Sequence, residues 1–248
     1  MKELLKKLLS TAKVQGNLDP RTEDFQKKIK YRFKNKNILK AALTHTSVTG
    51  NEASALSFER MEFFGDSILG FVISEYLFVT FPNIQEGELS KLKSQIVSRK
   101  FMAIKAKELG LGKYLYLSSE AASADSRNKK SILSNAMESL ICAIYSDSGL
   151  KATRDFISKF ILKDYEKHLE TSEMKNFKSI LQEYTQSKFQ NVPIYKITNE
   201  EGPDHNKVFT LEVYVNNELM GTGKGHNKKN AQQDAAKKAC IELKISDE

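Results

Sequence analysis

Apolar residues follow two different periods along this chain. From Phe25 to about His168 they recur at three- and four-residue steps, in KNILKAALTH, the run from Phe58 to Phe81, ELSKLKSQIVSRKFMAIKAKEL, SILSNAMESLICAIYSD and ATRDFISKFILKDYEKHL. These segments are too long for strands, so the spacing predicts an all-helical domain. LYLSSEAASADSRNKK, between two of them, is small, polar and then basic, as an exposed loop would be. Around HLETSEMKN the periodicity lapses, which marks residues 169–175 as a linker.

Beyond the linker, FKSILQEYTQSKF has helical spacing at Phe177, Leu181 and Tyr184. After Pro193 the period falls to two: Phe209, Leu211, Val213 and Val215 alternate with Thr210, Glu212 and Tyr214, the pattern of a strand with one buried face. EEGPDHN before it and NN after it are turn chemistry. ELMGTGKG then reads as a third short strand and KKNAQQDAAKKACIEL as an alanine-rich helix. The expected organisation is a basic N-terminal extension (1–21), a helical domain (22–168), the linker, and a small domain (176–245) ordered helix, three strands, helix.

Charge adds a partner to this picture. The 248 residues carry 39 Lys or Arg against 31 Asp or Glu, a formal +8 that favours an anionic partner. Residues 1–40 hold 12 of those bases against 4 acids, so their surplus of 8 equals the whole net charge. Any nucleic-acid surface farther along must come from local clustering; the plain reading of the surplus itself is a solvated helical arm. Lys6 and Lys7 interrupt the apolar start of the chain before a signal-peptide core forms, and ILGFVISEYLFV contains Glu75 and falls short of a bilayer span. Cys142 and Cys240 have neither zinc-site spacing nor disulfide density. A cytoplasmic protein without a membrane partner is expected.

One stretch carries the chemistry. FERMEFFGDSIL sets Glu59, Glu62 and Asp66 among strongly apolar neighbours, and at 100° per residue the three carboxylates fall within roughly a 60° arc of one helix. Acids four apart repel, and a low local dielectric deepens the penalty. Either the face is simply wet and balanced by a nearby basic helix, or it binds a divalent cation. Carboxylate oxygens without neighbouring His or Cys suit Mg²⁺ or Mn²⁺. SNAMESL adds Asn135 and Glu138 three apart on another helix, a second pair of oxygen donors.

These residues resemble the ribonuclease III family. FERMEFFGDSIL is similar to its signature helix; ALTHTS upstream and EGELSKLKSQIVSRK and KKSILSNAMESLICAIYSDSG downstream agree. LQEYTQ, EGPDHNKVFTLEVYV, GTGKG and KKNAQQDAAKKA resemble the family's double-stranded-RNA-binding domain, and the likeness spans about residues 22 to 244. It implies an all-helical endonuclease domain followed by a small α-β-β-β-α domain. It also implies Mg²⁺-assisted in-line hydrolysis of double-stranded RNA, with Mn²⁺ as a substitute and no small-molecule cofactor. Staggered ends would carry 5′ phosphate and 3′ hydroxyl, and precursors of ribosomal RNA are expected substrates.

By motif position, Glu62, Asp66 and Glu138 resemble the metal ligands, with Glu59 and Glu86 as accessory acids. Asn135 stands where the family has Asp; its carbonyl still coordinates a hard cation but brings no charge. The resemblance implies a two-fold homodimer in which Phe63 inserts into the partner. Ser179, Gln182, Glu183 and Gln186 form one helical stripe that by similarity faces an RNA minor groove, with His205 entering the next groove. Lys228 and Lys229 sit at a helix end already partly positive, where a phosphate relieves the repulsion, and Lys224 lies beside them in GTGKG. The loop with Arg127, Lys129 and Lys130 is either a further RNA contact or merely solvated. His45, His168 and His226 form no ligand cluster and are expected to be structural. Two rival functions stand beside the endoribonuclease: an RNA-binding dimer whose nuclease activity is weakened by Asn135, and membrane-surface attachment through the Lys- and Leu-rich N-terminus.

Overall fold

Among the described residues, Pro20 opens the first helix, α1 (Pro20–Ile29), where its fixed φ and missing N–H suit the first turn. The computed structural model describes residues 20–49, 56–122, 129–171, 174–203 and 207–245. Most of the expected N-terminal extension lies outside them, while Pro20 and Arg21 belong to α1. Helix α2 (Lys36–Leu43) is capped by Asn35, whose side chain accepts from the Asn37 N–H at 3.0 Å. Asp147, far away in sequence, anchors the approach to that cap: it accepts from the Tyr31 hydroxyl at 2.6 Å and from the N–H groups of Lys34 and Asn35 at 3.2 and 3.0 Å.

Then come α3 (Thr46–Thr49), α4 (Phe58–Thr80), α5 (Glu86–Ile96), α6 (Arg99–Glu108), a 3₁₀ turn (Leu111–Tyr114), α7 (Lys130–Phe160) and α8 (Tyr165–Leu169). Helix α4 packs along α7, and α7 also meets α2 and α6. Leu69 and Ile73 of α4, Met137, Leu140, Ile141 and Ile144 of α7, Leu39 and Leu43 of α2, and Phe101 and Met102 of α6 are fully buried. Each such side chain contributes about 1.5–3 kcal/mol of transfer free energy, which holds the two central helices together. At 23 residues α4 has the length and apolarity of a membrane span, but Met61, Leu69 and Ile73 are committed to this core.

Two helical runs differ from the expected pattern. ELSKLKSQIVSRKFMAIKAKEL, read as one helical segment, breaks at Val97–Ser98 into α5 and α6, because the Ser98 hydroxyl caps α6 by accepting from the Phe101 N–H at 3.2 Å. ATRDFISKFILKDYEKHL likewise leaves the helix after Phe160 and resumes as α8. Helix α7 itself bends where Gly149 departs from helical geometry (φ 78°, ψ −172°).

The chain divides into two compact units between Leu169 and Glu170. In the second, α9 (Phe177–Phe189) precedes an antiparallel sheet of order β1 (Ile194–Glu201), β2 (Val208–Val215) and β3 (Glu218–Gly225), and α10 (Lys228–Glu242) closes it. Leu211, Val213 and Val215 turn inward; Val213 and Val215 join Phe177, Leu181, Ala235, Ala236 and Ala239 in one core. The glycines of GTGKG are the reason α10 can lie so close. A Cβ on Gly223 would sit 2.1 Å from the Ala235 nitrogen, and Gly221 and Gly225 meet the same helix. The resemblance attached GTGKG to RNA binding; its glycines serve packing, and its Lys224 faces outward.

Candidate active site

The acids of α4 and α7 are brought together by a glycine. Gly65 lies against the backbone of Glu138 so closely that an added Cβ would be 1.8 Å from the Glu138 carbonyl oxygen and 3.3 Å from the Cys142 nitrogen. No other residue permits this crossing. Glu62 and Asp66 flank Gly65 on α4, three residues before and one after, so the crossing delivers both to Glu138. A glycine inside a long apolar helix was the available signal for this approach.

Electrostatics confirm the neighbourhood. Glu138 is 9% exposed, and burial first, then the charges of Asp66 and Glu62, push its carboxyl from 4.5 up to about 7. Glu62 is half-buried and also rises above the ordinary carboxylate range, through desolvation and then Glu59, with Asp66 adding a smaller push. Hydrogen bonding from the Asn135 side chain opposes that rise, and Arg99 opposes it for both Glu62 and Glu138. The Asn135 carbonyl oxygen accepts from the Ser134 hydroxyl at 3.2 Å. Glu59 and Asp66 are exposed at the rim. Glu86 does not enter this group: it starts α5, accepts from the Ser90 hydroxyl at 2.6 Å, and lines a cleft of about 420 Å³ beside Phe71 and Phe78.

The donors fit a hard dication in kind, because every one is an oxygen and their repulsion is incompletely compensated. As they stand, no three Asp, Glu, His or Cys side chains among the described residues gather closely enough to hold one ion. Asn135 supplies a neutral group beside Glu62.

Along the outer face of α4, Phe63, Phe71 and Phe78 are 77%, 53% and 75% exposed, seven or eight residues apart and hence on one stripe. Such an apolar row on the surface of a single chain marks an interface. In the second unit, Ser179, Gln182, Glu183 and Gln186 share one side of α9, with Ser179 half-buried and the others exposed. Lys228 and Lys229 are exposed in the first turn of α10, behind an Asn227 cap that accepts from the Asn230 N–H at 2.9 Å. Lys224 is also exposed, its N–H bound to Asp234 at 3.0 Å. His205 and Arg127 fall outside the described residues, while Lys129 and Lys130 are exposed at the start of α7. His45 accepts from the Ser47 N–H through Nδ1 at 3.1 Å and packs on Phe58; His168 meets Glu108 at 3.0 Å; His226 is exposed.

Comparison with known proteins identifies the family of each unit. Residues 35–165 match the Ribonuclease-III-like family, and residues 177–243 match the double-stranded RNA binding motif. A protein named Ribonuclease 3 from Nitratiruptor is 42% identical over 226 residues, covering 91% of this chain and 98% of the relative. Its namesake from Fusobacterium nucleatum is 40% identical, covering 90% and 95%. A solved nuclease domain of ribonuclease III from Campylobacter jejuni, described for structural flexibility in a region involved in dimer formation, superposes with a TM-score of 0.54 at 36% identity. It covers 58% of this chain and 98% of that domain. Two crossing helices that share acids, a helix–sheet–helix unit later in the sequence, and relatives matched over nine-tenths of the chain lead to one conclusion: the chain belongs to the ribonuclease III family.

Proposed function

We infer that the chain is an endoribonuclease that hydrolyses phosphodiester bonds in double-stranded RNA. The observation that carries this reading is the crossing at Gly65, which sets Glu62 and Asp66 beside Glu138. Glu62, Asp66 and Glu138 would hold a divalent ion, Mg²⁺ or Mn²⁺, with the Asn135 carbonyl as a neutral donor. When bound, that ion would activate water and stabilise the departing 3′ oxygen, giving 5′-phosphate and 3′-hydroxyl ends. Burial and the charges of Asp66 and Glu62 favour the protonated form of Glu138, which must release that proton to serve as an anionic ligand. Glu59 lines the rim of the same acidic surface.

The second unit supplies the grip on duplex. The polar stripe of Ser179, Gln182, Glu183 and Gln186 suits a wide minor groove, and Lys224, Lys228 and Lys229 suit the phosphates. A homodimer is supported by the exposed row of Phe63, Phe71 and Phe78, whose burial against a second copy would present two acidic sites to one duplex and leave staggered ends. Cytoplasmic RNA processing, ribosomal precursors included, fits these properties.

The rival reading, a duplex-binding dimer with weakened nuclease, draws on the neutral Asn135 and the open arrangement of the acids. One assay separates the two. Long duplex RNA is incubated with Mg²⁺ or Mn²⁺ and either the natural chain or Glu138→Ala; cleavage by the natural chain alone supports the enzyme, and binding without cleavage by either supports the rival.

A further inference from the structure

A cleft of about 460 Å³ opens in the first unit where the last turns of α1, α6 and α7 come together. Lys28 of α1, Lys105 of α6, Lys159 of α7 and Lys163 of the turn that follows line it, with Glu108 and Asp164 as the acids. Four cations against two anions leave the lining at +2 with His168 neutral. Both acids are already committed. Glu108 meets Lys105 through Oε2 at 3.2 Å and His168 through Oε1 at 3.0 Å, and Asp164 meets Lys167 at 3.6 Å. Lys105 is 2% exposed, and its Nζ also donates to the Lys163 carbonyl at 2.9 Å, which fixes a buried positive charge in the wall. Lys28, Lys159 and Lys163 are exposed and, among the described residues, form no ion pair. Lys28 Nζ reaches from α1 across the end of α6, 3.1 Å from where a Cβ on Gly110 would lie.

Lysines in a last turn ordinarily serve the negative end of their own helix. Here the backbone closes those ends: the Lys30 and Tyr31 N–H groups donate to Lys27 and Gln26, Gly110 to Lys107, and Ile161 and Leu162 to Ile157, all at 2.8–3.1 Å. The ordinary role therefore accounts for each lysine singly and not for their gathering around one recess, where like charges repel. Ammonium groups suit phosphate as point charges, and the volume is that of a small-molecule pocket. The aromatic ring in the lining, Phe160, has Lys159 over it at 5.0 Å, so charge rather than stacking carries recognition. We propose that this cleft binds a small compound carrying linked phosphates, at a site separate from the acids of α4 and α7.

The test uses the full chain in EDTA, with inorganic tripolyphosphate as the probe, followed by isothermal titration calorimetry. One equivalent is expected to bind. Removing two exposed ammoniums together, in Lys159→Gln with Lys163→Gln, is expected to weaken binding at least tenfold, as the loss of one charge-assisted contact already would. The Lys163 carbonyl that holds Lys105 is untouched by this change. Lys28→Gln, on a different helix, is expected to weaken binding about tenfold as well. Lys228→Gln with Lys229→Gln removes the same charge from α10 and is expected to leave tripolyphosphate binding unchanged. Duplex RNA binding by the cleft variants is expected to match that of the natural chain. The proposal is overturned if no saturable binding is seen, if the cleft variants bind as the natural chain does, or if the α10 variant weakens binding equally. Duplex affinity that falls in the cleft variants assigns these lysines to RNA and overturns it too.

Discussion

Glu138→Gln offers a direct test of the electrostatics of the site, because it removes a charge the fold resists. In an unfolded chain this carboxyl ionises near 4.5, whereas in the folded chain it ionises at about 7. The folded state therefore holds the proton more strongly. Stability is unpenalised well below 4.5, declines as pH rises from there to about 7, and stays reduced above it. The full shift corresponds to about 3 kcal/mol at pH 8, and to less than about 1 kcal/mol at pH 5. Partial solvent screening at the rim reduces the upper figure to about 2 kcal/mol.

Gln keeps the size of the side chain without the charge, so in EDTA the variant is expected to melt about 5 °C higher than the natural chain at pH 8. The gain should be much smaller at pH 5. Melting of the helical domain, followed by circular dichroism at both pH values, provides the measurement, and cleavage of duplex RNA by the variant is expected to be lost. A variant that is no more stable at pH 8, or a gain independent of pH, would refute the claim that Asp66 and Glu62 crowd a buried Glu138.

Further outcomes follow from other contacts. Asn135→Asp adds an acid beside Glu62, so it should lower the Mg²⁺ concentration for half-maximal cleavage severalfold while lowering the melting temperature in EDTA. Gly65→Ala forces the Glu138 backbone away and should destabilise the helical domain by about 1–3 kcal/mol or more, read by chemical denaturation, with cleavage abolished. Phe63→Asp places charge on the exposed apolar row and should shift sedimentation towards a single chain, leaving helix content unchanged. Gly223→Val drives side-chain atoms into α10 and should abolish duplex binding while the helical domain melts as before.

The sequence by itself determined which segments are helix and strand, because apolar period reflects geometry that every local stretch obeys. Leu211, Val213 and Val215 announced a half-buried strand, and FERMEFFGDSIL announced a helix with acids on one face. Where periodicity continued through a cap it misled: Ser98 divides a run whose apolar spacing never falters, since a hydroxyl bond to the Phe101 N–H leaves no trace in hydrophobic pattern. The resemblance to ribonuclease III named Glu62, Asp66 and Glu138 together, but their meeting depends on two helices touching backbone to backbone. Only the tertiary structure decided that contact, through the missing side chain of Gly65. It also decided that Arg99, unremarked in the sequence, shares the field of those acids, and that Glu86 stands apart from them. Distances between residues far apart along a chain are fixed by how helices pack, and local propensity carries no record of that packing.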